Sequence, residues 1–149
     1  MRQKLRLGVL IVPELVMLST LGSAGDRAQV SLEIFDNQPV GIKMSDDELG
    51  TIEFNGVDLF DCLIDVRKLL ESNGRLLCCQ GASSCVTPSG MTRQMTNGRL
   101  AYRLRNDGAA LSDDDLVDIF APAECSEVVD VAEQRRSVIT FYGVRRNDP

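Results

Sequence analysis

The chain contains no histidine and no tryptophan, and only 5% of its residues are aromatic. The missing histidine excludes Ser-His and Cys-His nucleophile activation, histidine-ligated zinc and the commonest general base. So few rings leave no stacking platform for single-stranded nucleic acid. The five cysteines, Cys62, Cys78, Cys79, Cys85 and Cys125, form no C-x-x-C pair, which excludes a zinc ribbon and a thioredoxin-type redox site. Their odd number predicts thiols used as small apolar residues in a reducing, cytoplasmic setting. Neither G-x-x-x-x-G-K-[ST], G-x-G-x-x-G nor G-x-S-x-G occurs. No cofactor and no metal is therefore expected.

What is present suits one domain with a real core: 149 residues, 44% hydrophobic and 26% charged. The formal net charge of -6 opposes non-specific nucleic-acid binding and suits a basic partner.

Residues 1–24 form an apolar N-terminal segment. Arg2, Lys4 and Arg6 precede an apolar run from Leu7 to Leu21, followed by Gly22-Ser23-Ala24, the outline of a secretory signal. Pro13 and Glu14 interrupt that run. The alternative reading is a buried strand over Leu5–Val12, a turn started by Pro13 and a short apolar helix. The run is too interrupted for a confident membrane span. Cytoplasmic residence is expected, with export as the alternative if 1–24 act as a signal.

Residues 25–149 read as a single α+β domain. Val30, Leu32 and Ile34 alternate with polar residues, then Val40, Ile42 and Met44, with a turn at Asn37-Gln38-Pro39. Ser45-Asp46-Asp47-Glu48 predicts an acidic turn, and a short strand runs from Thr51 to Phe54 before Asn55-Gly56. Over 58–72, Leu59, Leu63, Val66 and Leu70 share one face of a helix, and Asn73-Gly74 ends it. Arg67 and Glu71 stand at i,i+4 and predict an ion pair. The apolar run Leu76-Leu77-Cys78-Cys79 predicts a central strand. Leu100, Tyr102 and Leu104 alternate with Arg99, Arg103 and Arg105, predicting a strand with an apolar face and an arginine face. Another strand is expected over 116–120. The last stretch suits either a helix from Val131, capped in the manner of Asp130-x-x-Glu133, or a strand over 138–142; the cap favours the helix. The expected fold is a mostly antiparallel sheet packed by the 58–72 helix and a C-terminal helix.

Charge is sorted along the chain. Between Arg75 and Arg105 there is no acid; from Asp107 to Glu133 there is no base; and 46–65 is acidic again. Two readings stay open. In one, the arginines pair with the protein's own carboxylates across the sheet. In the other, the loop of residues 81–102 grips an anion through Ser89, Gly90, Arg93, Arg99 and Arg103, since arginine makes bidentate contacts to carboxylate or phosphate. The acidic residues Asp113, Asp114, Asp115, Asp118, Glu124 and Glu127 would then face a partner.

Smaller signals have ordinary explanations. Cys85 sits in a polar loop, but the C-x5-R spacing of a phosphatase-like loop fails, because Met91 stands six residues after it. Asp113-Asp114-Asp115 does not match D-x-D-x-D-G and reads as a solvated turn. Met91 and Met95, at i,i+4, are expected to anchor a helical turn to the core.

Asn73-Gly74, Gly81-Ala82, Pro88-Ser89-Gly90-Met91, Met95, Gly98, Ala101-Tyr102, Leu116–Phe120 and Val131–Arg135 carry a resemblance. Over about residues 57–140 the chain resembles a family of small bacterial proteins known only as uncharacterised. It departs from that pattern at Ser83-Ser84-Cys85 and Thr96-Asn97. The resemblance implies no activity, only that the loop is a defined feature.

Two functions are expected from this reading. One is a non-catalytic interaction domain, such as a bacterial immunity protein neutralising a basic toxin domain. The other is an anion-binding ligand or enzymatic domain built on the 81–102 loop.

Overall fold

In the computed structural model, which describes residues 13–37 and 39–147, every strand pairing is antiparallel. Period-two alternation sets the register of the larger sheet. Its strands are β1 (Glu14–Gly22), β2 (Arg27–Phe35), β3 (Gly41–Asp46), β4 (Gly50–Asn55) and β5 (Arg75–Leu77), in the order β4-β3-β2-β1-β5. Val16, Leu32, Met44 and Ile52 stand opposite one another along one row, and Ile34, Ile42 and Phe54 along the next. Directly opposed apolar pairs of this kind stabilise a sheet. The other face is mainly polar, with Glu33, Lys43 and Glu53 in register, though Leu15 and Met17 lie exposed on it.

Helix α1 (Leu59–Ser72) lays Leu59, Leu63, Val66 and Leu70 onto the apolar rows, all fully buried. Asp58 caps it by accepting from the Asp61 amide at 2.8 Å. Gly74, at φ 74°, makes the left-handed exit that a side chain would resist.

A second, three-stranded sheet follows: β6 (Val86–Thr87), β7 (Leu100–Arg103) and β8 (Leu116–Asp118), in the order β6-β7-β8. Helix α2 (Gly90–Thr96) lies between β6 and β7, and helix α3 (Val131–Asn147) closes the chain. The fold is therefore α+β, with the C-terminal helix in place of a strand over 138–142. Its Asp130 cap accepts from the Glu133 amide at 2.7 Å.

Several local expectations are corrected. The strand predicted over Leu5–Val12 lies outside the described residues. The short helix expected after Pro13 is strand β1, because Leu18 and Thr20 point into the core while Leu15 and Met17 point out. β1 and β2 form one hairpin across the boundary expected at 24, so a cut at Gly22-Ser23-Ala24 would remove an interior strand. β5 is an edge strand, since the chain turns into a 3-10 helix at Gln80–Ala82. The acidic turn after β3 is present as expected and joins β3 to β4, its amides at Glu48 and Leu49 donating to Asp46.

The 81–102 stretch is not a loop but a strand, a helix and the start of another strand. β7 also turns its other side inward: Ala101 is fully buried, while Leu100 and Tyr102 are half-buried. Met91 and Met95 are exposed, because α2 faces the protein with Thr92, its side chain satisfied by the cap.

Arg67 does not pair with Glu71. It is 1% exposed and donates to the Gly81 carbonyl at 3.2 Å, to Gln134 Oε1 at 2.5 Å and to the Val129 carbonyl at 2.9 Å. Gln134 Nε2 in turn lies within hydrogen-bond distance of the Gly81, Ser83 and Val86 carbonyls. Gly81 has no room for a side chain: a Cβ there would stand 2.6 Å from Leu63 Cδ2.

The expectation of five free thiols also fails. Cys78 and Cys125 form a disulfide that closes a separation of 47 residues, leaving Cys62, Cys79 and Cys85 free.

Two outcomes follow for stability. Arg67→Met should lower the urea-unfolding free energy by about 3 kcal/mol, because Gln134 Oε1 and the Val129 carbonyl lose their donor and the Gly81 carbonyl keeps only the one from Gln134, whereas Lys68→Ala on the solvent face should cost under about 0.5 kcal/mol. Alkylation of unreduced, denatured protein should add label to three thiols rather than five, and reduction should cost about 4 kcal/mol of stability through the released loop.

Candidate functional site

The residues expected to grip an anion stand on α2 and β7, and their environments differ. Ser89 caps α2: its Oγ accepts from the Thr92 amide at 3.0 Å while Thr92 Oγ1 accepts from the Ser89 amide at 2.9 Å. That hydroxyl is engaged as a cap, and Gly90 is an exposed first helical residue.

Arg93 projects from α2 onto the start of α1. Its Nη1 lies 2.8 Å from Asp58 Oδ2 and 3.4 Å from Asp61 Oδ1, and the guanidinium stacks 5.2 Å from the Phe60 ring centre. Asp58 thus caps one helix and holds another. Gly98, at φ 77°, passes so close that a Cβ would stand 2.7 Å from the Asp58 carboxyl carbon.

Arg99 is surrounded by acid. It binds Glu14 in bidentate fashion at 2.7 and 2.8 Å and Asp118 at 3.2 and 3.1 Å, over the Phe120 ring. Arg105 reaches Asp107 at 2.5 Å and Asp115 at 3.5 Å, and Arg75 reaches Asp46 at 2.7 Å. Arg103 is the exception. Among the described residues no carboxylate pairs with it; Nη1 donates to Cys85 Sγ at 3.1 Å and Nη2 to the Gln80 side chain.

Internal pairing therefore accounts for Arg75, Arg93, Arg99 and Arg105, and no common pocket joins Arg93, Arg99 and Arg103. Arg93 faces the α1 start, Arg99 the β1 start, and Arg103 the Cys85 side of β6.

The acidic residues divide in two. Asp115 and Asp118 are spent on Arg105 and Arg99. Asp113, Asp114, Glu124 and Glu127 are exposed, with no ion pair among the described residues. Their backbones are held firmly. Asp113–Asp115 is a 3-10 turn capped by Ser112, and Cys125–Glu127 is a second one, tied down by the disulfide. No group of three or more acidic, cysteine or histidine side chains among the described residues is arranged to hold a metal ion.

An open hollow of about 690 Å³ lies beside Gly90 and Arg93, with Asp58 and Asp61 on its wall, and two more lie elsewhere. One, of about 680 Å³, opens between the chain after β7 and α3, with Cys85, Arg105, Arg136, Ser137 and Phe141 on its walls. Another, of about 480 Å³, lies where β1 begins, beside Glu14, Phe35, Pro39, Phe54 and Arg99.

Sequence reasoning missed Glu14 and Gln134. Glu14 looked like a flaw in an apolar run, and its service to Arg99 shows only once β1 lies beside Phe120's turn. Gln134 carries no local signal beyond its place on the inward face of α3.

Hydrogen bonds from Arg75 hold the Asp46 carboxyl below its ordinary range, and those from Arg99 do the same for Glu14. These pairs stabilise the fold above the ordinary carboxylate range and lose that effect as acid protonates them. Burial acts oppositely on the thiols, pushing Cys79 and Cys62 up to about 11.

The chain matches no family model and no curated protein. The geometry alone carries its functional reading.

The raised thiols give a pH dependence of known sign. Below the ordinary thiol value both states hold the proton; above it the unfolded chain ionises first, so stability should fall as pH rises from about 9 to about 11. Thermal melts across that range check this, and Cys79→Ala should make the decline shallower.

Proposed function

We propose that the protein is a non-catalytic interaction domain that docks a basic protein partner through Asp113, Asp114, Glu124 and Glu127. The observation that carries this reading is the division of the acidic residues. The fold uses Asp46, Asp58, Asp61, Asp115 and Asp118 for its own arginines, and leaves these four exposed on capped or disulfide-anchored turns. Carboxylates on rigid backbone lose little freedom on binding, and complementary charge speeds encounter. An immunity protein that covers the cationic active site of a toxin domain is one form of this function.

The competing anion-grip reading has less support. Arg93 and Arg99 already carry carboxylates at hydrogen-bond distance, so an incoming anion would have to displace them. Among the described residues, no helix is long and apolar enough to cross a membrane. The Cys78–Cys125 disulfide supports the exported alternative over the cytoplasmic one, because such bonds persist in oxidising compartments.

The test compares wild type with the variant Asp113→Asn, Asp114→Asn, Glu124→Gln, Glu127→Gln as bait in extract of the source cells. The expected result is a basic protein retained by wild type, lost by the variant and released at about 1 M salt, where the Debye length is about 3 Å. Equal retention by both baits would refute the assignment of this face.

A further inference from the structure

Of the three free cysteines, Cys62 and Cys79 are buried, and only Cys85 is partly exposed. It sits on the wall of the 680 Å³ cavity between the end of β7 and α3. That volume falls in the range that encloses a small organic ligand. Leu104 and Phe141 supply apolar wall, while Ser137 and Thr140 supply hydroxyls from successive turns of α3.

The electrostatics at the sulfur end are distinctive. Arg105 and Arg136 stand on the cavity wall, but Asp107 and Asp115 meet the first and Glu133 the second. Arg103 has no such counter-charge among the described residues, and its Nη1 points at Cys85 Sγ from 3.1 Å. Ser83 Oγ lies 3.6 Å from the same sulfur. Cys85 is thus a reachable thiol on the wall of a cavity of ligand size, and Arg103, which does not itself line the cavity, stands behind that sulfur as a cation without an acid among the described residues, apart from the proposed docking face.

We propose that this cavity binds a small anionic disulfide, the oxidised form of a peptide-sized thiol, and that Cys85 exchanges with it to form a mixed disulfide. Cys85 gives its proton to solvent, and the resulting thiolate attacks the nearer sulfur of the ligand. A bond forms between Cys85 and that sulfur as the ligand's own S–S bond breaks. The departing half leaves as a thiolate and takes up a proton from water. The ligand disulfide is the oxidant, and the same thiol in excess reverses the step. Arg103 receives the ligand's negative charge beside the reacting sulfurs, and α3 holds its body.

The experiment incubates the full chain, with Cys78–Cys125 intact, with oxidised glutathione as an anionic disulfide or with cystamine as a cationic one. Intact mass and peptide mapping follow the adducts. The expected result is a single adduct on Cys85, none on Cys62 or Cys79, and faster reaction with oxidised glutathione than with cystamine. Arg103→Gln should slow the glutathione reaction about tenfold and remove the preference between the two disulfides. Ser137→Trp, which fills the cavity from the half-exposed side of α3, should slow the glutathione reaction while alkylation of Cys85 by iodoacetamide proceeds unchanged. The proposal is overturned if Cys85 takes no adduct, if wild type reacts with both disulfides alike, or if Ser137→Trp leaves the glutathione rate untouched. The last two measurements decide the matter even if Arg103→Gln does not fold.

Discussion

A guanidinium buried without a carboxylate is the constraint on which the architecture turns. Arg67 leaves α1 in the middle of its apolar face, where a leucine would serve packing better, and desolvation holds its pKa below the ordinary value. Moving such a group out of water costs several kcal/mol unless its donors are matched. Here they are matched by the Gly81 and Val129 carbonyls and by Gln134. These acceptors come from the turn after β5, the chain entering α3 and α3 itself. Irregular backbone in a protein interior needs donors for its carbonyls, and Arg67 and Gln134 supply them together. The two sheets are joined through this cluster rather than through a continuous ladder of strands.

That choice explains why the expected i,i+4 pair does not form. Glu71 turns instead to the Val131 amide at 2.9 Å, taking an unpaired donor at the start of α3. Both ends of the would-be pair are spent on long-range contacts, and the two residues of α1 that looked like surface decoration fasten it to the C-terminal helix. Gly81 completes the arrangement. Because no Cβ fits between Leu63 and Ile119, the turn presses against α1 closely enough for its carbonyl to meet Arg67.

The larger sheet and α1 were legible because they answer to local periodicities: alternation in β2 and β3, a helical stripe at Leu59, Leu63, Val66 and Leu70, and Asn73-Gly74 as a stop. Beyond Leu77 the rules that decide structure are not local. Cys78 and Cys79 read as one apolar strand, yet the first leaves for Cys125 and the second for a bridge to Pro122. β7 reads as leucine and tyrosine in, arginine out; the pairing with β6 and β8 turns Ala101 in, because Arg99 and Arg103 find partners on that same side. The segregation of charge was plain in the chain. Which carboxylate meets which guanidinium was not, since the partners lie up to 85 residues apart, as in Arg99 and Glu14.

Pairing does not cancel the acidity; it changes where the acidity acts. Among the described residues eight carboxylates, on Glu14, Asp46, Asp58, Asp61, Asp107, Asp115, Asp118 and Glu133, meet five guanidinium groups. Even the neutralised regions therefore carry surplus negative charge, consistent with the net charge of -6. At short range the paired carboxylates are occupied and offer a partner few hydrogen bonds. At distances up to the Debye length, about 8 Å at physiological salt, they still contribute to a negative field. Long-range attraction would then come from much of the surface, while specific contact at the proposed docking face falls to Asp113, Asp114, Glu124 and Glu127. Arg103 marks the reverse case: among the described residues no carboxylate pairs with it, so a small anion drawn to it would meet a thiol and not a carboxylate.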